Sequence, residues 1–416
     1  MMQLPEDFIR NTREAMGEER FQRYLESFDE DVPVSIRLNP LKVDSHEWTV
    51  VGGEPVPWCR GGYYLPRRPN FTMDPLLHAG CYYVQEAASM FLDEVLRQHL
   101  PQRPVTALDL CAAPGGKSTL MAAALPEGST LYSNEPVHQR ASILAENVTK
   151  WGYANHMVTN QYPEFYRKSK LRFDIILCDV PCSGEGMFRK DEATIREWSQ
   201  QNVERCWQLQ RLIVSDAWQC LNDGGLLVYS TCTFNTKENE ENVRWICEEL
   251  GAEILPIDVS PEWNITGSLL PGFEQPVFRF IPGITRSEGL FMAVLHKKGE
   301  TLTTPQKETK SLRRANTQFT PGKRPVCSGQ NETLPKVELT YPQAIAYLRG
   351  EALVLPENTP RGAITVSFLG HPLGTTKNIG SRANNQYPKE WRIKTTHVPQ
   401  EYEAILCFSS TCLSFT

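Results

Sequence analysis

Five short apolar runs, TALDL from Thr106, LYSNE from Leu131, HMVTN from His156, FDIILCD from Phe173 and GLLVYSTC from Gly225, alternate with segments of helical period. Those segments include HQRASILAENVTKW from His138 and the long stretch from Asp191 to Leu221. Strands that alternate with helices pair in parallel, because each helix carries the chain back along the sheet. The spacing therefore predicts an α/β unit with a mostly parallel sheet and helices on both faces. A helix over YYVQEAASMFLDEVLRQHL, 82–100, should lead into it, and VFRFIP and LFMAVLHKK should close it as strands near residue 298. Within 191–221, Cys206, Leu209, Ile213, Ala217 and Cys220 recur at helical spacing and read as core.

A chain of 416 residues is too long for one ordinary core, so two or three domains are expected. Residues 1–75 combine an amphipathic helix, the β-like PVSIRLNPLKV and a turn-rich stretch, and read as a small α+β accessory domain. Residues 76–298 form the α/β core. The Thr, Pro, Lys and Gln of 299–334 show no periodicity and read as a linker. Residues 335–416 form a separate mixed α/β block, and its apolar tail, EAILCFSSTCLSFT, has no turn pattern to place it.

Composition excludes several classes. Hydrophobic residues at 40% and charged residues at 22% are ordinary for a globular chain, and no apolar run is long enough to span a bilayer. The start, MMQLPEDFIRNTREAMGEERFQRY, lacks the apolar stretch of a secretory signal, so a cytoplasmic location is expected. Twelve cysteines without a Cys-x-x-Cys pair imply reduced thiols, and no histidine stands at metal-ligand spacing from them, so no metal is expected. The formal net charge of -6 argues weakly against bulk nucleic-acid binding. Basic clusters at Arg67 and Arg68, at 167–172 and between Lys297 and Arg324 nevertheless leave local contacts open.

Strand TALDL runs through CAAPGGK into the helical STLMAAAL, a turn of small residues that lets a ligand approach the backbone. A phosphate-loop reading fails because it requires glycine where Cys111 stands, and G-x-G-x-x-G is absent. The next strand ends in Glu135, about twenty residues on, where a carboxylate can bond ribose hydroxyls. Adenosine without a pyrophosphate is implied, and S-adenosyl-L-methionine fits.

Asp179 ends a third strand, and Pro-Cys-Ser-Gly then turns across the same sheet edge; Cys232 emerges at the end of the following strand. Carboxyl ends of parallel strands lie side by side, so Asp179, Cys182 and Cys232 should converge near the cofactor turn. A nucleophile elbow is ruled out by the flanks of Ser183. A cationic neighbour would raise the thiolate fraction, with Lys117, Arg189 and Lys190 as candidates.

DLCAAPGGKST, DVPCSGEGMFRKD and STCTFNTKENEENV resemble the signature motifs of the Sun-domain family of RNA cytosine 5-methyltransferases, and the last block resembles the PUA-like extension of its bacterial RsmF-like branch. The resemblance implies a Rossmann-like class I S-adenosylmethionine-dependent core. It implies methylation of cytosine carbon 5, with Cys232 as nucleophile, Cys182 assisting release, Asp179 holding the ring's polar edge and Lys190 orienting the base or a neighbouring group. Cofactor contacts are implied for Cys111, Ala112, Ala113, Pro114, Gly115, Gly116, Lys117, Glu135 and Asp179, and for Gln161, which stands where many relatives carry an acid. The implied partner is RNA, 16S rRNA in a 30S subunit or precursor, with neither DNA nor membrane, and the protein acting as a monomer. The resemblance also implies that the accessory domain of residues 1–75 binds RNA, and SIRLNP and the basic linker are expected to grip phosphates. A tRNA methyltransferase and a catalytically silent RNA-binding assembly factor remain the alternatives.

Overall fold

The computed structural model describes residues 4–299, 334–395, 397–399 and 401–409. Two amphipathic helices, α1 (Glu6–Met16) and α2 (Glu18–Glu26), bury Phe8, Phe21 and Tyr24. Strands β1 (Val34–Leu38), β2 (Trp48–Val50), β3 (Glu54–Pro55) and β4 (Gly62–Leu65), the short helix α3 (Pro75–His78) and β5 (Tyr82–Val84) follow. All but β2 form one sheet, ordered β3-β4-β1-β5.

The helix expected over 82–100 is therefore confined to α4 (Leu92–His99), with a 3-10 turn at Ala88–Phe91 before it. Tyr82, Tyr83 and Val84 are aromatic or β-branched and pair with β1, which carries the first sheet past the expected boundary at 75.

Next come β6 (Thr106–Asp109), α5 (Gly116–Ala124), β7 (Thr130–Asn134), α6 (His138–Trp151), β8 (His156–Thr159), α7 (Pro163–Ser169) and β9 (Phe173–Asp179). The single helix expected from 191 to 221 is two, α8 (Glu192–Glu197) and α9 (Gln200–Cys220). They part where the Ser199 side chain caps the second by accepting from the Asn202 N–H. Cys206, Ile213, Ala217 and Cys220 are buried as expected, but Leu209 is 42% exposed. Strand β10 (Leu221–Thr231), α10 (Glu240–Leu250), β11 (Ala252–Leu255), β12 (Phe278–Phe280) and β13 (Leu290–Lys297) complete this unit.

The central sheet runs β11-β13-β10-β9-β6-β7-β8, with β12 beside β13. Strands β6 to β10 are parallel, and β13 returns antiparallel to β10. Sequence order reverses between β6 and β9, which opens a crevice at their carboxyl ends. The register there sets Asp109 beside Leu177 and Asp179 beside Ser230, so the segments after these strands leave the sheet together.

The last block contains β14 (Lys336–Glu338), α11 (Tyr341–Leu348), β15 (Gly362–Phe368), β16 (His371–Asn378) and β17 (Ala383–Asn385), and its sheet runs β14-β15-β16-β17. The apolar tail without a placing pattern supplies β18 (Leu406–Phe408), antiparallel to β2 in the first unit. One apolar core runs through both units, joining Ile36, Trp48 and Tyr82 to Ile345, Phe368 and Leu406. Arg67 also pairs with Glu403 at 2.8 Å. The basic linker expected to hold phosphates falls almost wholly outside the described residues.

Candidate active site

The carboxyl edge of β6, β9 and β10 gathers the residues singled out from the sequence. Gly115 takes φ 120° as the N-cap of α5, a left-handed conformation that glycine adopts at little cost. Pro114 is exposed, while Ala112 and Gly115 are buried and Cys111, Ala113, Gly116 and Lys117 are half-buried. Burial pushes the Cys111 thiol well up, so it stays protonated. Asp109, under the turn, accepts from Ser118 Oγ at 2.5 Å, and burial pushes its carboxyl up to about 7.

At the end of the neighbouring strand β7, Glu135 is 1% exposed. Its Oε1 accepts from the Val137 N–H at 2.9 Å, while Oε2 has no hydrogen-bond partner and lies 3.3 Å from Arg140 Nη1. Arg140 Nη2 donates to Ala113 O at 3.0 Å, so this arginine bridges acid and turn. Gln161 is fixed through its backbone: its N–H donates to Asn134 Oδ1 at 3.0 Å and its carbonyl accepts from Asn134 Nδ2 at 2.8 Å. A glycine-rich helix start, a buried carboxylate oxygen that accepts no hydrogen bond and the nearby Asp179 fit an adenosine carrying a cationic sulfur.

Lys117 Nζ donates to Asp179 Oδ2 at 2.9 Å, and Ser230 Oγ donates to Asp179 Oδ1 at 2.7 Å. Cys182 Sγ and Cys232 Sγ lie 3.3 Å apart. The hydrogen bond from Cys182 holds the Cys232 thiol below its usual range against burial and Asp179, and the Lys117 ammonium lowers it further. The same bond, then burial, pushes Cys182 well up. Of the three candidate cations, Lys117 therefore acts on the Cys232 thiol. Arg189 is committed to Glu288 at 2.8 Å and to Glu30 O at 3.2 Å, and Lys190 is exposed with no hydrogen bond joining it to this cluster among the described residues.

Several residues here carry no role in the sequence reading. Glu185 and Glu238 are buried beneath the thiols, and Asn239 and Glu240 fold under the segment that follows Cys232. Asn239 Nδ2 donates to Thr233 O at 2.9 Å, and Glu240 pairs with Arg279, whose Nη1 donates to Phe234 O at 2.8 Å. For Glu238, Asn239 and Glu240 the signal available was the acid-rich ENEEN run shortly after the end of β10. Arg37, from SIRLNP, is not a phosphate grip here. It is 3% exposed, stacks on Trp151 at 4.5 Å, and donates to Gln85 Oε1 at 2.8 Å, Thr119 Oγ1 at 2.7 Å and Gly116 O at 3.3 Å. The first unit thus buttresses the cofactor turn. No cluster of three or more potential metal ligands occurs among the described residues, and none of their helices is long and apolar enough to cross a membrane.

Comparison with known proteins adds a family context. Residues 97–296 match the family described as 16S rRNA methyltransferase RsmB/F. Residues 4–87 match the N-terminal domain of 16S rRNA methyltransferase RsmF, and residues 334–393 its PUA domain. The chain is 29% identical to the ribosomal RNA small subunit methyltransferase F of Shigella dysenteriae and 27% identical to that of Erwinia tasmaniensis, in each case over 93% of this chain and 96% of the relative. Among solved structures, a methyltransferase homolog from Pyrococcus horikoshii aligns with TM-score 0.60 at 25% identity, over 71% of this chain and 96% of that one. NSun6 from the same organism, solved with SFG, aligns with TM-score 0.59 at 20% identity over 71% of this chain and 99% of that one, a likeness of fold.

Proposed function

Because the chain belongs to the 16S rRNA methyltransferase RsmB/F family, with the N-terminal and PUA domains of its RsmF members, we propose that it methylates carbon 5 of a cytosine in small-subunit rRNA through a covalent bond from Cys232. The observation that carries this reading is the 3.3 Å approach of Cys182 and Cys232 beside the Lys117–Asp179 pair.

Carbon 5 of cytosine is a poor nucleophile until a thiolate adds to carbon 6. Cys232 is held towards its thiolate by Cys182 and Lys117, and it forms the carbon–sulfur bond as the ring's electron pair shifts to carbon 5. S-Adenosyl-L-methionine, when bound, would supply an electrophilic methyl group for that carbon, its sulfur–methyl bond breaking to leave S-adenosyl-L-homocysteine. The carbon 5 proton then leaves to a base, the carbon–sulfur bond breaks, and its electron pair returns to Cys232. Cys182 stays protonated and donates a hydrogen bond to the departing sulfur.

Asp179, anchored by Lys117 and Ser230, offers carboxylate oxygens to the polar edge of the base. Glu135 would take the ribose hydroxyls, and the turn from Cys111 to Lys117 would take the rest of the cofactor beside the backbone of Gln161. Lys190 remains an exposed cation for the RNA near the base. A cytosine must leave its stack to reach this edge, which favours flippable positions in structured rRNA.

The test is methyl transfer to 16S rRNA, naked and in 30S subunits, with bulk tRNA as comparison, followed by bisulfite sequencing. Methyl groups at a cytosine of 16S rRNA support the reading. Transfer to tRNA alone, or to an atom other than carbon 5, contradicts it.

A further inference from the structure

Beneath the thiols lie two buried carboxylates that form no ion pair among the described residues: Glu185, from the segment of Cys182, and Glu238, from the segment of Cys232. Each reaches across to the other thiol's segment. Glu238 accepts from the Ser183 N–H at 3.0 Å, directly after Cys182, and from Gln210 Nε2 at 2.7 Å. Glu185 accepts from the N–H groups of Phe234 at 2.7 Å and Asn235 at 3.0 Å, just after Cys232, and from Trp198 Nε1 at 3.0 Å.

Asn235 Nδ2 joins the two acids, 2.8 Å from Glu238 Oε1 and 3.1 Å from Glu185 Oε1. The Gly186 N–H donates to Cys232 O at 2.8 Å, and a Cβ at that position would stand 2.9 Å from the same oxygen, so only glycine allows this approach. Burial, with Glu185 adding, pushes Glu238 up to about 7. Burying carboxylates without a cation is costly, and apolar side chains would fill the space more cheaply. What a carboxylate adds is acceptance from several donors at once, which fixes two backbones against each other.

Resting on the thiol roles given above, we infer that Glu185 and Glu238 form a reciprocal clamp of positioning residues, Glu238 setting the release thiol Cys182 and Glu185 setting the attacking thiol Cys232. The two acids therefore act on different steps of one reaction. A residue that merely stabilised the fold would slow both steps together.

The experiment follows the protein–RNA adduct on denaturing gels, with the full chain, S-adenosyl-L-methionine and 16S rRNA, in Glu238→Gln and Glu185→Gln beside Cys182→Ala and Cys232→Ala. Glu238→Gln should form adduct at close to the wild-type rate and accumulate it about tenfold or more, while Glu185→Gln should form it about tenfold more slowly without accumulation. Loss of turnover in both with the adduct fraction unchanged overturns the clamp.

If Cys232→Ala rather than Cys182→Ala trapped the RNA, the thiol roles would fall. The clamp would then require Glu185→Gln to be the trapping variant, and trapping that stayed with Glu238→Gln would overturn it. Should Glu238→Gln lose its cooperative thermal transition, Glu238→Asp, which withdraws the carboxylate by one methylene, carries the same expectation and the same overturning result.

Discussion

Lys117 Nζ donates to Asp179 Oδ2 across 2.9 Å, and this bond ties the cofactor turn to the strand end beside the thiols. Burial pushes the Lys117 ammonium down, but Asp179, with Cys232 and Asp109 adding, raises it on balance above its usual value, so the cation persists next to Cys232. Replacing it with a neutral side chain of similar length, Lys117→Met, should cut alkylation of Cys232 by iodoacetamide at neutral pH about tenfold. The assay needs neither cofactor nor RNA. An unchanged alkylation rate would remove Lys117 from the activation of the thiol.

Glu135 offers a buried oxygen that accepts no hydrogen bond and lies 3.3 Å from Arg140 Nη1, next to the turn. Glu135→Ala should weaken S-adenosyl-L-methionine binding by about 1.5–3 kcal/mol, read by calorimetry, because a charge-assisted bond to the ribose is lost. Far-ultraviolet dichroism should stay as in the parent chain. Equal affinity in parent and variant would mean that this oxygen faces something other than the cofactor.

Arg37 links the first unit to the turn through Gln85, Thr119 and Gly116 O. Arg37→Met keeps the stem against Trp151 but leaves buried acceptors unpaired, so stability in urea should fall by about 2–4 kcal/mol. Cofactor affinity should fall with it, since Gly116 opens α5. A variant with parental stability would show that these bonds are replaceable by water.

His78 lies between the first and last units, with Nε2 2.9 Å from Thr72 O and Nδ1 3.5 Å from Tyr387 Oη. Burial pushes it down to about 3 from 6.5, with Lys150 contributing. Its stabilising contribution is therefore complete above pH 6.5 and is lost as pH falls towards 3. Asp74, in the same junction and pushed up to about 6 by burial, works in the opposite sense. Comparing the parent with His78→Gln separates the two: between pH 7 and pH 5 the parent should lose about 2 kcal/mol more than the variant. Equal losses would mean that His78 titrates normally.

The sheet and its edge were legible because a strand's end is marked locally. Asp109, Asp179 and Cys232 each follow a short apolar run, and parallel pairing then forces such ends together. Arg37 and Gln85 were not legible as a buttress, since they are 48 positions apart and meet only once β1 pairs with β5. Helical period placed Cys206 and Ile213 in the core but also claimed Leu209, because spacing alone does not mark where a neighbouring element stops covering a face. The tail carried no turn signal because its partner strand, β2, lies at the other end of the chain.

The central claim is that Cys232 bonds to the base and Cys182 releases it. It is tested most directly by incubating Cys182→Ala with 16S rRNA and S-adenosyl-L-methionine and resolving the products on a denaturing gel. A shifted protein–RNA band that disappears in the Cys182→Ala, Cys232→Ala double variant is the expected result. A band formed by Cys232→Ala instead, or rRNA methylation that survives loss of Cys232, would contradict it.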